Sequence, residues 1–344
     1  TPVRRSGEGS PETEVVLEKS SAALSPVLVR LEPGHPKPAH IVKAQKDGAQ
    51  AKITFLVVDD KGRPVPDATV AGGFYNHERD GHGFSSQTQN DGTVELTDLC
   101  VWEINYGVEK SGYYETRGRY DFYKAGFDCV KDGRWIPWNP TVEVVLKRKV
   151  NPVAMYVRPN RGGLNPLVPP VKDESIGFDL QKGDWVAPYG KGDNTDVFFK
   201  YEYEAGVPLV LNYRGIVSLV FTNKHDGAYV LKKDKSSAFQ SVYQADTNAV
   251  YISDFEFAYD RLAGDIKKDT RFSEADYLVT RTRSKTDEKG NLVSAHYSKM
   301  YGPIAAGKGG IYFGYYFNPN ENDPNLEADT SRNLLNPGKL DFVP

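Results

Sequence analysis

The chain has 344 residues, more than a single hydrophobic core of roughly 250 to 300 residues serves, so we expect about two domains. Its formal net charge of -3 excludes a strongly basic surface for nucleic acid, and it contains no run of about 18 apolar residues that would span a membrane. The 21 Tyr, 16 Phe, 32 Gly and 22 Pro favour β-structure with many turns. We predict an all-β protein of two β-sandwich-like domains with an extended N-terminal arm and an irregular C-terminal tail.

Residues 1–48 contain six prolines and two short stretches of alternating apolar residues, at 13–18 and 26–31. This pattern is typical of an extended arm with strand-forming pieces. The side chains that would share one face of each piece are Val15, Leu17, Val27, Val29 and Leu31. We expect such an arm to add a strand to the exposed sheet edge of a neighbouring copy.

The first domain is predicted at 50–149, where short apolar stretches are separated by turn residues. In chain order its predicted elements are a strand at 52–59, a turn at 60–66 that closes a hairpin with 68–71, a Gly-rich polar loop at 72–86, a turn at 88–92, a strand at 93–96, an apolar stretch at 102–110 and a final strand at 141–148. A β-sandwich is the most economical arrangement of these elements.

The turn at 59–66, the stretch Ala68-Thr69-Val70, the turn Gln89-Asn90-Asp91-Gly92-Thr93 and the stretch Lys110-Ser111-Gly112-Tyr113 follow one another in a familiar order. This order resembles the carboxypeptidase regulatory-like, or prealbumin-like, β-sandwich domain of exported bacterial proteins. The resemblance covers about residues 50–149, and the Gly-rich insertion departs from the simplest form of the domain. It implies a sandwich fold, an exported setting and a spacer or adhesive role without catalytic residues.

A Pro- and Gly-rich linker is predicted at 150–174, a second β-rich domain at 175–319 and an extended tail at 320–344. Alternation along 197–204 predicts a strand with one buried face. The turn residues Asp287-Glu288-Lys289-Gly290 predict a long hairpin between 277–284 and 291–301, and 311–317 is predicted as a central strand.

The stretch 302–308 has the glycine and lysine spacing of a phosphate-binding loop. That motif needs Ser or Thr after the lysine and a helix that begins there, whereas Gly309 and Gly310 follow here. We therefore predict a hairpin loop.

Three groups of residues could bind a metal, although no cofactor is predicted. His77 and His82 share a loop with two carboxylates, which a transition metal would accept. The oxygen-rich loops 193–196 and 320–329 would accept Ca²⁺, and neither has the spacing of an EF-hand. The weak candidates in the second of these loops are Asp323, Glu327 and Asp329. Turn formation without an ion explains these residues equally well.

Cys100 and Cys129 each lie next to a strand-like stretch of the first domain. A disulfide between neighbouring strands and a pair of buried free thiols are both consistent with the sequence. A zinc site built from these two residues alone is excluded by their spacing.

The sequence contains no nucleophile elbow and no cysteine framed by histidine and acid, so we predict that the protein is not an enzyme. The alternative is a hydrolase in the second domain, for which Asp254 and Glu256 would be the first suspects because they share one face of a strand.

Aromatic residues are dense in the first domain and offer a different function. Exposed rings stack on sugar faces, so a glycan-binding face is the alternative to core packing. The candidates for such a face are Trp135, Trp138, Tyr113 and Tyr114.

Together these features predict a non-catalytic structural or adhesive protein, secreted or at the cell surface after signal removal. Its expected partners are other copies of itself or another surface protein, joined through the arm. A carbohydrate-binding or accessory protein of polysaccharide utilisation is the alternative.

Overall fold

The computed structural model describes residues 37–76, 82–123, 129–159, 166–206, 213–260, 267–268 and 276–336. These residues are predominantly β-strand and form two units, each built from two sheets, as expected for an all-β fold. Among them there is no helix that is both long and apolar enough to cross a membrane.

The first unit begins with a short helix and continues with nine strands. Its elements are α1 (Ala39–Asp47), β1 (Ala49–Asp59), β2 (Thr69–Phe74), β3 (His82–Gln87), β4 (Thr93–Cys100), β5 (Glu103–Glu109), β6 (Thr116–Asp121), β7 (Val130–Lys131), β8 (Arg134–Trp135) and β9 (Thr141–Leu146). One sheet has the order β4-β1-β8-β7, and β9 also pairs with β1 in parallel. The other sheet has the order β3-β2-β5-β6.

Strand β1 shows why the two sheets pack together. Ile53, Phe55 and Val57 are fully buried and alternate with partly exposed residues, so one face of the strand enters the core. Trp135 completes this core from β8 and donates its indole N–H to the main-chain oxygen of Cys100 at 2.7 Å.

The second unit contains the remaining twelve strands. They are β10 (Val153–Arg158), β11 (Ser175–Asp179), β12 (Asp184–Trp185), β13 (Val197–Ala205), β14 (Tyr213–Val220), β15 (Gly227–Lys232), β16 (Asp254–Asp260), β17 (Lys267–Lys268), β18 (Asp276–Thr286), β19 (Leu292–Gly307), β20 (Gly310–Phe317) and β21 (Ala328–Asn333). They form sheets of the order β15-β18-β19-β20-β10-β21 and β12-β11-β13-β14-β16-β17. Phe178, Phe199 and Phe313 join the sheets, with ring centroids 5.0 to 6.1 Å apart.

Several predicted elements of this unit are confirmed. Val197, Phe199 and Tyr201 form the buried face of β13. Strands β18 and β19 form the long hairpin around 287–290, and β20 lies inside its sheet between β19 and β10. Residues 302–307 belong to β19, which turns directly into β20, so the glycine-rich stretch is a hairpin, as predicted.

Three segments differ from the sequence-based expectation. The arm predicted at 1–48 contains helix α1, in which Ile41 and Ala44 are buried. The predicted linker contributes strand β10 and the predicted tail contributes β21, and these two strands pair in parallel. Both segments therefore form part of the second unit's sheet.

The Gly-rich stretch at 72–86 is also more ordered than a loop, because β2 and β3 pair across it. A Cβ added at Gly72 would lie 2.0 Å from the main-chain oxygen of Asn105. Glycine is thus needed here for close strand packing. The turn at 59–66 carries the chain from one sheet to the other, since β1 and β2 lie in different sheets and the predicted hairpin does not form.

Candidate functional site

The predicted assembly residues Val15, Leu17, Val27, Val29 and Leu31 lie outside the described residues, as does His77. Only the main chain of His82 is described, at the start of β3. The arm and the predicted histidine site therefore remain predictions.

The four aromatic residues proposed for a sugar platform do not form one. Trp135 and Tyr114 are buried in the protein interior, and Tyr113 is almost completely buried. Trp138 has 38% of its surface exposed, and the Arg134 guanidinium lies 4.9 Å from its ring centroid. The expectation of a stacking face was wrong for the buried rings, because Trp135 and Tyr113 pack in the core of the first unit and Tyr114 packs against the second unit.

The candidate calcium ligands are each engaged by nearby protein groups. Asp323 accepts hydrogen bonds from Asn318 and Asn325, and Asp329 accepts two from Ser331. Glu327 is buried and accepts three hydrogen bonds from other protein groups. Across the described part of the chain, no three His, Cys, Asp or Glu side chains are grouped as metal ligands.

Cys100 and Cys129 are both buried and form no disulfide, so of the two alternatives the structure contains the pair of thiols. Cys100 donates a hydrogen bond from Sγ to the main-chain oxygen of Glu103 at 3.1 Å. Burial raises the pKa of the Cys100 thiol to about 12.

Asp254 and Glu256 are exposed on strand β16. Ser253 donates a hydrogen bond to Asp254 at 3.1 Å. Exposed strand carboxylates of this kind have no enclosed pocket in which a sugar could be protonated. Their environment favours solvated surface charges over a hydrolase centre.

The contact between the two units is centred on Glu327, which the sequence presented as a loop residue. Its Oε1 accepts hydrogen bonds from the Tyr114 hydroxyl at 2.9 Å and from the main-chain N–H of Val150 at 2.8 Å. Its Oε2 accepts one from the N–H of Asn151 at 2.6 Å. Burial and the charge of Glu327 raise the pKa of the Tyr114 phenol above its usual range, so the hydroxyl remains a donor.

Phe239 extends this contact on the side of the second unit. Its ring stacks on Tyr114 with centroids 4.8 Å apart and an interplanar angle of 12°. Lys147 forms an ion pair of 2.8 Å with Asp234, and the Ala238 N–H donates to Thr116 Oγ1 at 3.3 Å. We call this group of contacts, centred on Glu327, Tyr114 and Phe239, the seam.

Lys299 is fully buried beside the seam, which is unusual for a lysine. Its Nζ donates to Ser241 Oγ at 2.7 Å and lies 4.9 Å from the Phe239 ring centroid and 5.0 Å from that of Tyr316. Burial lowers the pKa of this amine well below its usual value. Folding therefore shifts the equilibrium of this amine towards its neutral form relative to the unfolded chain.

Arg283 and two buried carboxylates join the two sheets of the second unit. Arg283, on β18, donates to both carboxylate oxygens of Asp196 at 2.7 and 2.9 Å and to Asp179 at 2.9 Å. Asp179 belongs to β11 in the facing sheet. Asp196 was part of a predicted calcium loop, and in the structure Arg283 supplies the positive charge at that place.

Strand β4 is an exposed edge of the first unit. The N–H groups of Gln50 and Thr54 on β1 donate away from β4, to Gly133 and Pro140. The odd-numbered residues of β1 therefore face β4, where they pair with its even-numbered residues. It follows that the main-chain groups of Glu95 and Thr97 point outward, and no strand among the described residues pairs with them.

A scan against protein-family models finds no match, and a search of curated proteins finds none either. Solved structures give weak similarities. A 3-chlorocatechol 1,2-dioxygenase from Rhodococcus opacus is 13% identical over 35% of this chain and 69% of its own, with a TM-score of 0.24. For a catechol 1,2-dioxygenase from Acinetobacter, at 14% identity and the same TM-score, 30% of this chain and 54% of that chain are covered.

Two further structures cover more of the chain. A DUF3823 family protein from Parabacteroides merdae is 8% identical over 82% of this chain and 100% of its own, with a TM-score of 0.21. The major pilin subunit BcpA of Bacillus cereus is 11% identical over 81% of this chain and 100% of its own, with a TM-score of 0.22. TM-scores this low do not establish a fold shared with any of these proteins.

Proposed function

We propose that this protein is a non-catalytic structural or adhesive component of a bacterial surface, whose copies join by strand addition. The observation that carries this proposal is the outward-facing main chain of Glu95 and Thr97 on strand β4. An unpaired edge offers N–H and C=O groups to an extended segment of another chain.

The segment that fits this edge is 26–31 of the arm. Added beside β4, it would place Val27, Val29 and Leu31 on the face where Val94 and Leu96 are buried. Arg30 would then lie on the opposite face, near the exposed Glu95, whose carboxylate already forms an ion pair of 2.8 Å with Lys52 and accepts a hydrogen bond of 3.1 Å from Asn139. The apolar pattern of the segment is therefore complementary to the edge.

The seam supports a mechanical role for the assembled protein. It joins the two units through a buried carboxylate with three donors, a stacked aromatic pair and an ion pair. Such a junction resists bending more strongly than a flexible linker does. A chain of such subunits would act as a stiff spacer, the role that the carboxypeptidase regulatory-like resemblance implies for the first unit.

Thr97 provides a direct test of the acceptor strand. Thr97→Pro removes an outward-facing N–H, and proline is tolerated at such edge positions. Thr97→Val keeps the N–H and serves as the matched control, since the Thr97 side chain is exposed. Sedimentation velocity of full-length chains should show self-association about tenfold weaker for the proline variant than for the valine variant. Equal self-association of the two variants would contradict β4 as the acceptor.

A further inference from the structure

A cleft of about 1050 Å³ lies between the two units, next to the seam. The first unit lines it with Asp67, Glu109, Arg117 and Lys149, and the second unit lines it with Lys235 and Gln240. Clefts between domains are a common place for ligand sites, and this volume is sufficient for an oligosaccharide rather than a single small anion.

The walls of the cleft are held in place by the seam. Ala238 and Thr116, which both line the cleft, are joined by a hydrogen bond of 3.3 Å across the two units. Asp234, the residue before Lys235, forms the ion pair with Lys147. A ligand therefore meets a preformed site, which reduces the entropic cost of binding.

Some charged groups of the cleft are already used by the protein. Lys110 donates a hydrogen bond to the main-chain oxygen of Pro66. Arg117 forms a two-point contact with Glu115, at 2.6 and 3.1 Å. Their remaining capacity for a ligand is small.

Other charged groups of the cleft remain available. Lys149 and Lys235 are exposed, and neither forms an ion pair with a described residue, although the Lys149 Nζ lies 5.6 Å from the Tyr114 ring centroid. Asp67 and Glu109 are also exposed and likewise have no ion-pair partner in the described part of the chain. The cleft thus offers two ammonium groups and two carboxylates to one ligand.

We propose that this cleft binds an acidic oligosaccharide, a chain containing uronic acid units. The ammonium groups of Lys149 and Lys235 match a sugar carboxylate, and the carboxylates of Asp67 and Glu109 accept hydrogen bonds from sugar hydroxyls. Tyr113 and Tyr114 also line the cleft, but their rings are buried, so recognition rests on charge and hydrogen bonds. This inference is independent of the assembly proposal, because it uses neither the arm nor β4.

Isothermal titration of the full chain with tetragalacturonate and tetraglucuronate tests the inference. The methyl ester of each sugar is the matched control, because it keeps the hydroxyls and loses the charge. We expect at least one of the acids to bind, and its ester to bind about tenfold more weakly. If neither acid binds, or if acid and ester bind equally well, the proposal is overturned.

Variants assign the binding to the cleft. Lys149→Gln combined with Lys235→Gln should weaken binding of the acid about tenfold, and Lys289→Gln, in the exposed turn between β18 and β19, should leave it unchanged. Glu109→Gln should weaken binding of the ester more than binding of the acid, because both lose contacts to sugar hydroxyls while the acid alone is relieved of repulsion by the Glu109 charge. Unchanged binding of the acid by the double lysine variant would overturn the proposed site. Because both lysines are exposed, a loss of binding in this variant would not be explained by a loss of folding.

Discussion

Tyr114 and Glu327 are separated by 213 residues in the sequence, and the Tyr114 hydroxyl donates a hydrogen bond of 2.9 Å to Glu327 Oε1 inside the seam. The carboxylate is buried, so its charge has to be compensated by donors from the protein. Tyr114, Val150 and Asn151 provide three. Glu327 therefore couples the two units, together with the stacked rings and the ion pair of the seam.

Removal of the Tyr114 hydroxyl should destabilise this junction. We expect Tyr114→Phe to lower the free energy of unfolding by about 1 to 3 kcal/mol, because a buried carboxylate loses one of its donors. Urea denaturation followed by tryptophan fluorescence measures the change. Tyr189→Phe is the control, since Tyr189 is exposed and should differ by less than about 0.5 kcal/mol. Equal stability of the two variants would show that the hydrogen bond from Tyr114 to Glu327 does not contribute to the free energy of unfolding.

Loss of the Arg283 side chain should lower the free energy of unfolding more than loss of the Tyr114 hydroxyl does, because two buried carboxylates lose their cation. We expect Arg283→Ala to lower the free energy of unfolding by about 3 to 5 kcal/mol near neutral pH. Burial raises the pKa of Asp196, and Arg283 opposes this rise, so without Arg283 the carboxyl takes up a proton more readily. The difference from the unchanged protein should therefore shrink as the pH falls.

Denaturation of both chains at several pH values between about 7 and 4 tests the Arg283 prediction. A stability difference between Arg283→Ala and the unchanged protein that grows towards low pH would contradict the prediction. Arg214→Ala is a control, because Arg214 lies on an exposed part of β14.

Replacement of Lys299 should change how stability depends on pH. The folded state lowers the pKa of this lysine, whereas the unfolded chain keeps a value near 10.5, so the unfolded state binds more protons below that pH. Stability should therefore rise with pH between the folded pKa and about 10.5. In Lys299→Met this contribution is absent, and the variant should be as stable as the unchanged protein or more stable at pH 7.

Urea denaturation at pH 7, 8 and 9 measures the Lys299 effect. The slope of stability against pH should be smaller for Lys299→Met than for Lys289→Met, in which an exposed lysine is replaced. Identical slopes would mean that the buried amine keeps an ordinary pKa.

Cys100 and Cys129 should resist thiol reagents in the folded protein. Both are buried, and burial raises the pKa of Cys100 to about 12, so little reactive thiolate exists at pH 8. Treatment with iodoacetamide followed by mass spectrometry should show no label in native buffer and two labels in denaturant. If the protein is denatured without a reductant and still takes up no label, the two cysteines form a disulfide instead.

Local sequence patterns predicted the elements that depend on neighbouring residues. The alternation along 197–204 was sufficient to predict strand β13, and the turn residues 287–290 were sufficient to predict the hairpin of β18 and β19. A half-buried strand and a tight turn are each encoded within a few residues. Helix α1 was missed although Pro38 and Gly48 flank it and Ile41 and Ala44 are three residues apart. Those signals would have identified the helix.

Contacts between distant segments were not predictable in this way. Strands β10 and β21 pair although they are about 175 positions apart, and both lie in segments whose prolines and polar residues indicate loops. In the sequence Glu327 has no feature that distinguishes it from other acidic loop residues, because its partner Tyr114 is distant in the chain. Trp135 could equally have been an exposed sugar-binding ring or a core residue, and only the packing of β8 against the first core decides between them.

The most direct test of the proposed function is the solution mass of the intact chain and of a chain that lacks residues 1–36, by light scattering coupled to size exclusion over a range of concentrations. This deletion keeps α1, whose Ile41 and Ala44 belong to the first core. We predict that the intact chain forms oligomers whose mass increases with concentration, while the shortened chain stays at the mass of one copy. Monomers of about 38.3 kDa for the intact chain, or equal assembly of both chains, would contradict strand addition by the arm.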